Sequence, residues 1–201
     1  MLNELSPLRI GCVSASRIAD MMAKGKGVSR AKYSAQLAAE RLSGRPHRAN
    51  FTGAAMDHGN EYEDMAGTKY AFRNMVTLTG TGKDWIPHPF IEFAGCSPDR
   101  FVDDDGLLEI KNPETHTLFR YFETVEIPQD YKWQMTWQLA CTRRKWCDWV
   151  AHDPDLPDED GYLEVRFEPS SKDIADLERE VRFFNAEVDH LIQLAIKRRT
   201  L

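Results

Sequence analysis

Residues 98–113 read PDRFVDDDGLLEIKNP, and no other stretch limits the fold as sharply. Leucine, isoleucine and charged residues interleave across Gly106–Lys111. On a strand, side chains two apart share a face, so Glu109 and Lys111 point one way while Leu108 and Ile110 point the other and can enter a core. The run DDDG at 103–106 is a turn, which folds the preceding segment RFVDD back alongside and brings Asp99 near Glu109. Two carboxylates and one ammonium then meet on a sheet edge or face. Adjacent carboxylates repel unless a cation lies between them, and hard oxygen ligands select Mg²⁺. A metal so held polarises a phosphate oxygen and acidifies a water, and Lys111 can orient that water or stabilise charge on the phosphate. The opposing reading is a polar hairpin whose Glu109 and Lys111 pair weakly across solvent. Ser97-Pro98 before Asp99 and Asn112-Pro113 after Lys111 favour the first reading, because they put the charged pair at a strand end.

The rest of the chain supplies layers for that hairpin. VSASRIADMMA reads as a helix capped by Ser14 or Ser16, and AKYSAQLAAERLSG as a second helix ended by Gly44. TGAAMDHGNEYEDMAGTKYAFR reads as a third, with a stripe of Ala55, Tyr62, Ala66 and Tyr70. The period then shortens: MVTLTG, FIEFAGCS, RFVDD and GLLEIKNP read as strands. YKWQMTWQLACTR returns to helix, and KWCDWVAHDP and GYLEVRFEPS are strands separated by the acidic loop DPDLPDEDG. From Ser171 a long helix carries Ile174, Leu177, Val181, Phe184, Val188, Leu191 and Ala195 at alternating gaps of three and four, a stripe suited to the core or to a subunit contact. The order predicts an α/β fold with a mixed central sheet flanked by helices, in one domain over 1–201 with an N-terminal helical part at 14–73 and a C-terminal helix at 171–198.

Two further blocks offer polar groups to the hairpin. HGNEYEDMA places Glu61, Glu63 and Asp64 on the third helix, and Glu63 is the acid that a helix beside the sheet could deliver. YKWQMTWQ sets Gln134 and Gln138 four apart on one helical face, able to hold a carboxylate or a water without adding charge; Trp85, Trp133, Trp137, Trp146 and Trp149 could stack on a frayed base, though the helical spacing of Trp133 and Trp137 favours packing. Histidines and cysteines show no zinc spacing, and no CxxC pair is present among Cys12, Cys96, Cys141 and Cys147, which read as free thiols of a reducing compartment. With 26 basic and 32 acidic residues the net charge is -6, so any contact with nucleic acid is local or is aided by metal ions. No apolar run reaches a membrane span, and a soluble cytoplasmic protein is expected.

SPDRFVDDDGLLEIKNP resembles the core of the PD-(D/E)XK nucleases, a restriction-endonuclease-like fold. With HGNEYEDMA before it, YKWQMTWQLACTRRKWCDWVAHDPDLP after it and an opening RIGCVSAS followed by YSAQLAAERLSG, the chain is similar over about residues 9–157 to the bacteriophage lambda-type exonucleases, the YqaJ-like viral recombinase family. That resemblance implies a phage-encoded or prophage enzyme. It would degrade one strand of linear double-stranded DNA bearing a 5′-phosphate, 5′ to 3′, to mononucleotides, leaving a 3′ single-stranded tail. It implies metal ligation by Asp99, Glu109 and the Ile110 carbonyl, with two Mg²⁺ ions expected and Mn²⁺ as a substitute. Glu63 becomes a third acid, Lys111 the residue assisting the attacking water, and Gln134 a residue that steadies the site. Arg9 and Ser16 become the pair that receives the 5′-phosphate. It further implies a homo-oligomer, a ring of three, and a phage single-strand annealing protein as partner. KGKGVSR, with Lys24 and Lys26, either lines the entry of duplex DNA or is a plain loop. Arg100 stands where the family often has glycine, and would reshape the turn or reach toward phosphate. No iron–sulfur cluster is expected. A structure-specific or restriction-like endonuclease could carry the same three residues, and so could a nuclease-fold DNA-binding protein that no longer cleaves.

Overall fold

The computed structural model describes residues 7–23, 28–47, 53–157 and 159–199, with the side chains of Pro7 and of 53–61 outside that description. Strands β1 (Val13–Ser14), β3 (Ile86–Pro87) and β4 (Ala94–Cys96) form a small sheet in the order β1-β4-β3. Strands β2 (Leu78–Thr79), β5 (Arg100–Val102), β6 (Gly106–Lys111), β7 (Trp146–His152) and β8 (Tyr162–Phe167) form the larger sheet in that order. β5 and β6 are the antiparallel hairpin expected at DDDG, with Arg100 opposite Leu108. β6 and β7 are parallel, joined by helices α4 (Thr115–Thr124) and α5 (Gln129–Thr142). The sheet is therefore mixed.

Alternation along β6 sorts the two faces. Leu107 packs with Cys147, Trp149, Met135 and Leu139 under α4 and α5. Leu108 and Ile110 pack with Ala66 and Tyr70 of α3 (Gly53–Asn74) on the other face. A third core joins α1 (Ile18–Met22), α2 (Val28–Ser43), α5 and α6 (Ser171–Arg198), with Ile18, Leu37, Trp137, Leu177, Val181, Phe184 and Val188 buried together. The apolar stripe of α6 is thus spent within the chain's own core. A capping box starts α6, with Ser170 Oγ accepting from the Asp173 backbone N–H at 3.1 Å and the Asp173 carboxylate accepting from the Ser170 N–H at 3.0 Å.

Several sequence expectations differ in detail. The first helix does not start at a serine cap. Val13–Ser14 pairs with β4, a 3-10 turn follows over Ala15–Arg17, and neither Ser14 nor Arg17 caps through its side chain. Tertiary pairing of Ser14, whose N–H donates to Tyr33 Oη at 3.0 Å, overrides local capping. MVTLTG contributes two strand residues, and FIEFAGCS is a turn through Phe93 before β4 begins. α2 ends at Gly44 as expected, in the left-handed conformation at φ 64°. Ala55, His58, Gly59 and Glu61 fall where side chains lie outside the description.

Candidate active site

The site is built on the α5-facing side of β6. Glu109 lies mid-sheet with no exposed surface, between β5 and β7. Continuing the β5–β6 register by one residue sets Asp99 opposite it. Asp99 Oδ2 accepts the Ile110 backbone N–H at 2.7 Å. Lys111, two residues along the same face, is ion-paired with Glu109 Oε1 and lies 5.2 Å over the Tyr131 ring. The amide Nε2 of Gln134 donates to Glu109 Oε1 at 2.5 Å, and that of Gln138 donates to Glu109 Oε2 at 2.6 Å. One turn of α5 therefore clamps both carboxylate oxygens. The spacing of four had offered Gln134 and Gln138 together, while the family resemblance gave a role to Gln134 alone; both amides in fact hold Glu109.

Charge in this pocket is unbalanced. Burial pushes the Asp99 carboxyl well above the usual carboxylate range, Glu109 and Glu63 push it further, and Lys111 and the Ile110 N–H only partly oppose them. Burial alone would lower the Lys111 ammonium, but Glu109 and Asp99 outweigh it and hold it protonated above the ordinary lysine value. Two amide oxygens, Gln138 Oε1 and Asn112 Oδ1, are also buried without a hydrogen-bond partner.

Glu63 reaches this region from α3 by way of Arg100. The Arg100 guanidinium donates to Glu63 Oε1 at 2.8 Å and to the Asp99 carbonyl at 2.5 Å, and it is also paired with Asp64. Arg100 thus ties the loop that carries Asp99 to the neighbouring helix, instead of projecting toward an outside phosphate. Burial raises the Glu63 carboxyl, more than Arg100 lowers it. Among the described residues no group of three or more His, Cys, Asp or Glu side chains is arranged to hold one metal ion. Asp99 and Glu109 are neighbouring acids across the β5–β6 register.

The N-terminal candidates are positioned by β1. Arg9 ends a 3-10 turn, and Ser16 is exposed in the next one. Pairing of Ser14 with Gly95 brings that segment beside β4, which runs on into Ser97, Pro98 and Asp99. Gly11, two residues after Arg9, donates its N–H to Glu40 at 2.8 Å, and its carbonyl accepts Arg41 Nε at 2.8 Å. It has φ 71°, and a Cβ there would lie 2.5 Å from Arg41 Cγ, so only glycine fits. The Arg9 guanidinium lies 5.6 Å over the Trp85 ring, and Ser16 Oγ is 3.5 Å from Ser14 Oγ. Arg9 and Ser16 share no hydrogen bond among the described residues. Lys24 and Lys26 lie outside the described residues. No helix among the described residues is long and apolar enough to cross a membrane.

Against known proteins, residues 5–145 match the YqaJ-like viral recombinase domain. The chain is similar to the crystal structure of an alkaline exonuclease, LHK-Exo, from Laribacter hongkongensis, at 38% identity and a TM-score of 0.85, covering 96% of this chain and 95% of that one. The structure of LHK-Exo in complex with dAMP matches with a TM-score of 0.88 at 38% identity, over 98% and 97% of the two chains. A phage related exonuclease from Haemophilus somnus 129PT shares the fold, at 14% identity and a TM-score of 0.66 over 92% and 96%. Curated protein sequences give no match.

Proposed function

Because the chain belongs to the YqaJ-like viral recombinase family, with the restriction-endonuclease-like core of the PD-(D/E)XK nucleases, we propose that it is a Mg²⁺-dependent 5′-to-3′ exodeoxyribonuclease. It degrades one strand of linear duplex DNA to mononucleotides and leaves a 3′ single-stranded tail. The observation that carries this reading is Glu109, buried, held on both oxygens by Gln134, Gln138 and Lys111, and opposed by Asp99. A purely structural hairpin would not bury two carboxylates against one ammonium. A solved complex of the similar alkaline exonuclease with dAMP, a nucleoside monophosphate, supports mononucleotides as the product class.

Asp99, Glu109 and the Ile110 carbonyl are the groups that would hold divalent cations, and an all-oxygen donor set suits Mg²⁺, with Mn²⁺ able to substitute. The excess negative charge around Asp99 fits such an occupant. Bound there, the cation supplies Lewis acidity toward a phosphate oxygen and lowers the pKa of water. Gln134 and Gln138 prevent Glu109 from rotating and add no charge. Lys111, held protonated, orients the attacking water and stabilises negative charge building on the phosphate. Glu63 adds negative potential at Asp99 from α3, partly offset by its ion pair with Arg100. Arg9 and Ser16 receive the 5′-phosphate: a guanidinium gives two parallel donors to phosphate and a hydroxyl adds a third. Lys24 and Lys26 are the cations assigned to the incoming duplex. Assembly into a ring of three that passes the tail to an annealing protein completes the reading, and light scattering that gives only a monomer at working concentration removes the ring.

The test is one gel. Linear duplex with 5′-phosphate, the same duplex with 5′-hydroxyl and closed circular DNA are incubated with and without Mg²⁺. The 5′-phosphorylated duplex should disappear fastest, only with Mg²⁺, and the circle should survive. Rapid cutting of the circle would make the protein an endonuclease, and no cutting of any substrate would make it a binding protein.

A further inference from the structure

Beside the Arg9 segment lies a turn that the proposed reaction leaves unused. Residues 85–93, WIPHPFIEF, present three aromatic rings to the surface. Phe90 is 71% exposed, Phe93 48%, and Trp85 is half-buried. Each ring carries an arginine guanidinium: Arg9 at 5.6 Å over Trp85, Arg143 at 5.0 Å over Phe90 and Arg41 at 4.2 Å over Phe93. Arg182 also donates to the Phe90 carbonyl at 3.3 Å.

The turn is rigid and strained in a way that favours display of its rings. Phe93 has φ 52°, a left-handed conformation that is strained for a residue with a bulky side chain. Its carbonyl accepts the Val13 N–H at 2.8 Å, which fastens the strained turn to β1. Core burial of the ring would offset that cost, yet the ring stands half in solvent. Arg41, whose side chain is 5% exposed and tied to Asp189 and Asn185, braces Phe93 from beneath. Arg143, ion-paired with Glu178 at 3.6 Å, and Arg182 stay exposed.

A cleft of about 680 Å³ runs along this turn, lined by Leu8, Ile10, Trp85, Pro87, Phe90 and Phe93 among others. The chain links this turn to the candidate site at two points. Leu8 and Ile10 flank Arg9 in sequence. The loop leading into Trp85 passes the carboxylates: a Cβ on Gly82 would lie 3.5 Å from Glu63 Oε1 and 3.7 Å from Asp99 Cα.

We propose that Trp85, Phe90 and Phe93, with Arg9, Arg143 and Arg182, form a stacking platform for unpaired nucleotides of single-stranded DNA adjoining the hydrolytic site. The inference rests on the nuclease reading for the identity of the polymer. Alternating rings and guanidinium groups match a strand in which bases offer flat apolar faces and phosphates offer charge at each step. Duplex DNA buries those base faces within its own stack, so the platform selects strands already separated.

The test compares two oligonucleotides with the same number of phosphates, dT12 and an abasic 12-mer, by fluorescence anisotropy in EDTA at fixed salt. The wild-type protein should bind dT12 at least about fivefold more tightly, since stacking on a ring contributes ~1–3 kcal/mol per base. The variant Phe90→Ala/Phe93→Asn should lose that preference while retaining affinity for the abasic strand; asparagine tolerates the left-handed backbone at 93. Equal binding of the two oligonucleotides by the wild type overturns the platform, as does an unchanged preference in the double variant. A double variant whose mass in light scattering falls while its preference for dT12 persists would make this turn a protein–protein contact instead. Neither binding arm depends on hydrolysis, so a protein that binds dT12 through these rings and cleaves nothing would sink the nuclease reading and leave the platform standing.

Discussion

Two buried carboxylates lie on neighbouring strands of the larger sheet, on opposite faces, and their surroundings differ in one respect. Asp148 of β7 is opposite Leu108 and faces α3. It accepts Tyr70 Oη at 2.6 Å and both Arg166 nitrogens, Nε at 2.8 Å and Nη2 at 2.9 Å, while Arg166 stacks 3.7 Å over Trp146. One acid meets one base in a bidentate pair, and nothing is left over. Glu109 of β6 faces α5 and is equally well bonded, but Asp99 shares its pocket and Lys111 alone answers both. The closed cluster holds a sheet to a helix. The open one has a charge to be supplied from outside, and that is what separates a candidate site from a buried ion pair.

Substitutions on the two faces should therefore fail in different ways. Lys111→Ala should reduce nucleotide release from linear duplex by about 10²–10³-fold, the usual loss when a single stabilising donor at a reacting oxygen is removed. Its circular dichroism should remain that of the wild type. Asp148→Ala should do the reverse. It leaves Tyr70 Oη buried without an acceptor and frees Arg166, so urea denaturation should show a loss of ~3 kcal/mol, while activity per folded molecule stays the same. A smaller effect is expected at Gln138→Leu. Glu109 keeps Gln134 and Lys111 but loses the donor to Oε2, and the Mg²⁺ concentration giving half-maximal rate should rise about tenfold. If Gln138→Leu costs stability and leaves the Mg²⁺ dependence alone, then Gln138 belongs with the closed cluster and not with the open one.

The open cluster was more legible in the sequence than the closed one, and the reason is spacing. Glu109 and Lys111 fall two apart on a strand, Gln134 and Gln138 four apart on a helix, and DDDG joins the hairpin, so local period alone aligned most of the site. Asp148, Tyr70 and Arg166 are separated by 78 and 18 positions and sit in different elements, and only the parallel β6–β7 pairing and the packing of α3 bring them together. Arg100 was similarly opaque. Its departure from glycine was visible, but its partners Glu63 and Asp64 lie 37 and 36 residues away on α3. The N-terminal strand was missed because two residues carry no periodicity; Val13–Ser14 is a strand only by virtue of β4.

On the proposed reading the Asp99–Glu109 pocket is short of positive charge and takes a divalent cation to complete it. Thermal unfolding of the wild type and of Asp99→Asn, each in EDTA and in excess Mg²⁺, tests it without reference to DNA. Ligand at about a hundred times its dissociation constant stabilises a protein by ~2.7 kcal/mol, which for a chain of this size raises Tm by roughly 5–10 °C. The wild type should show that rise and Asp99→Asn should not. In EDTA the variant should melt above the wild type, because the amide removes the repulsion from Glu109 and still accepts the Ile110 N–H. The same response to Mg²⁺ in both proteins, or none in either, would contradict the claim.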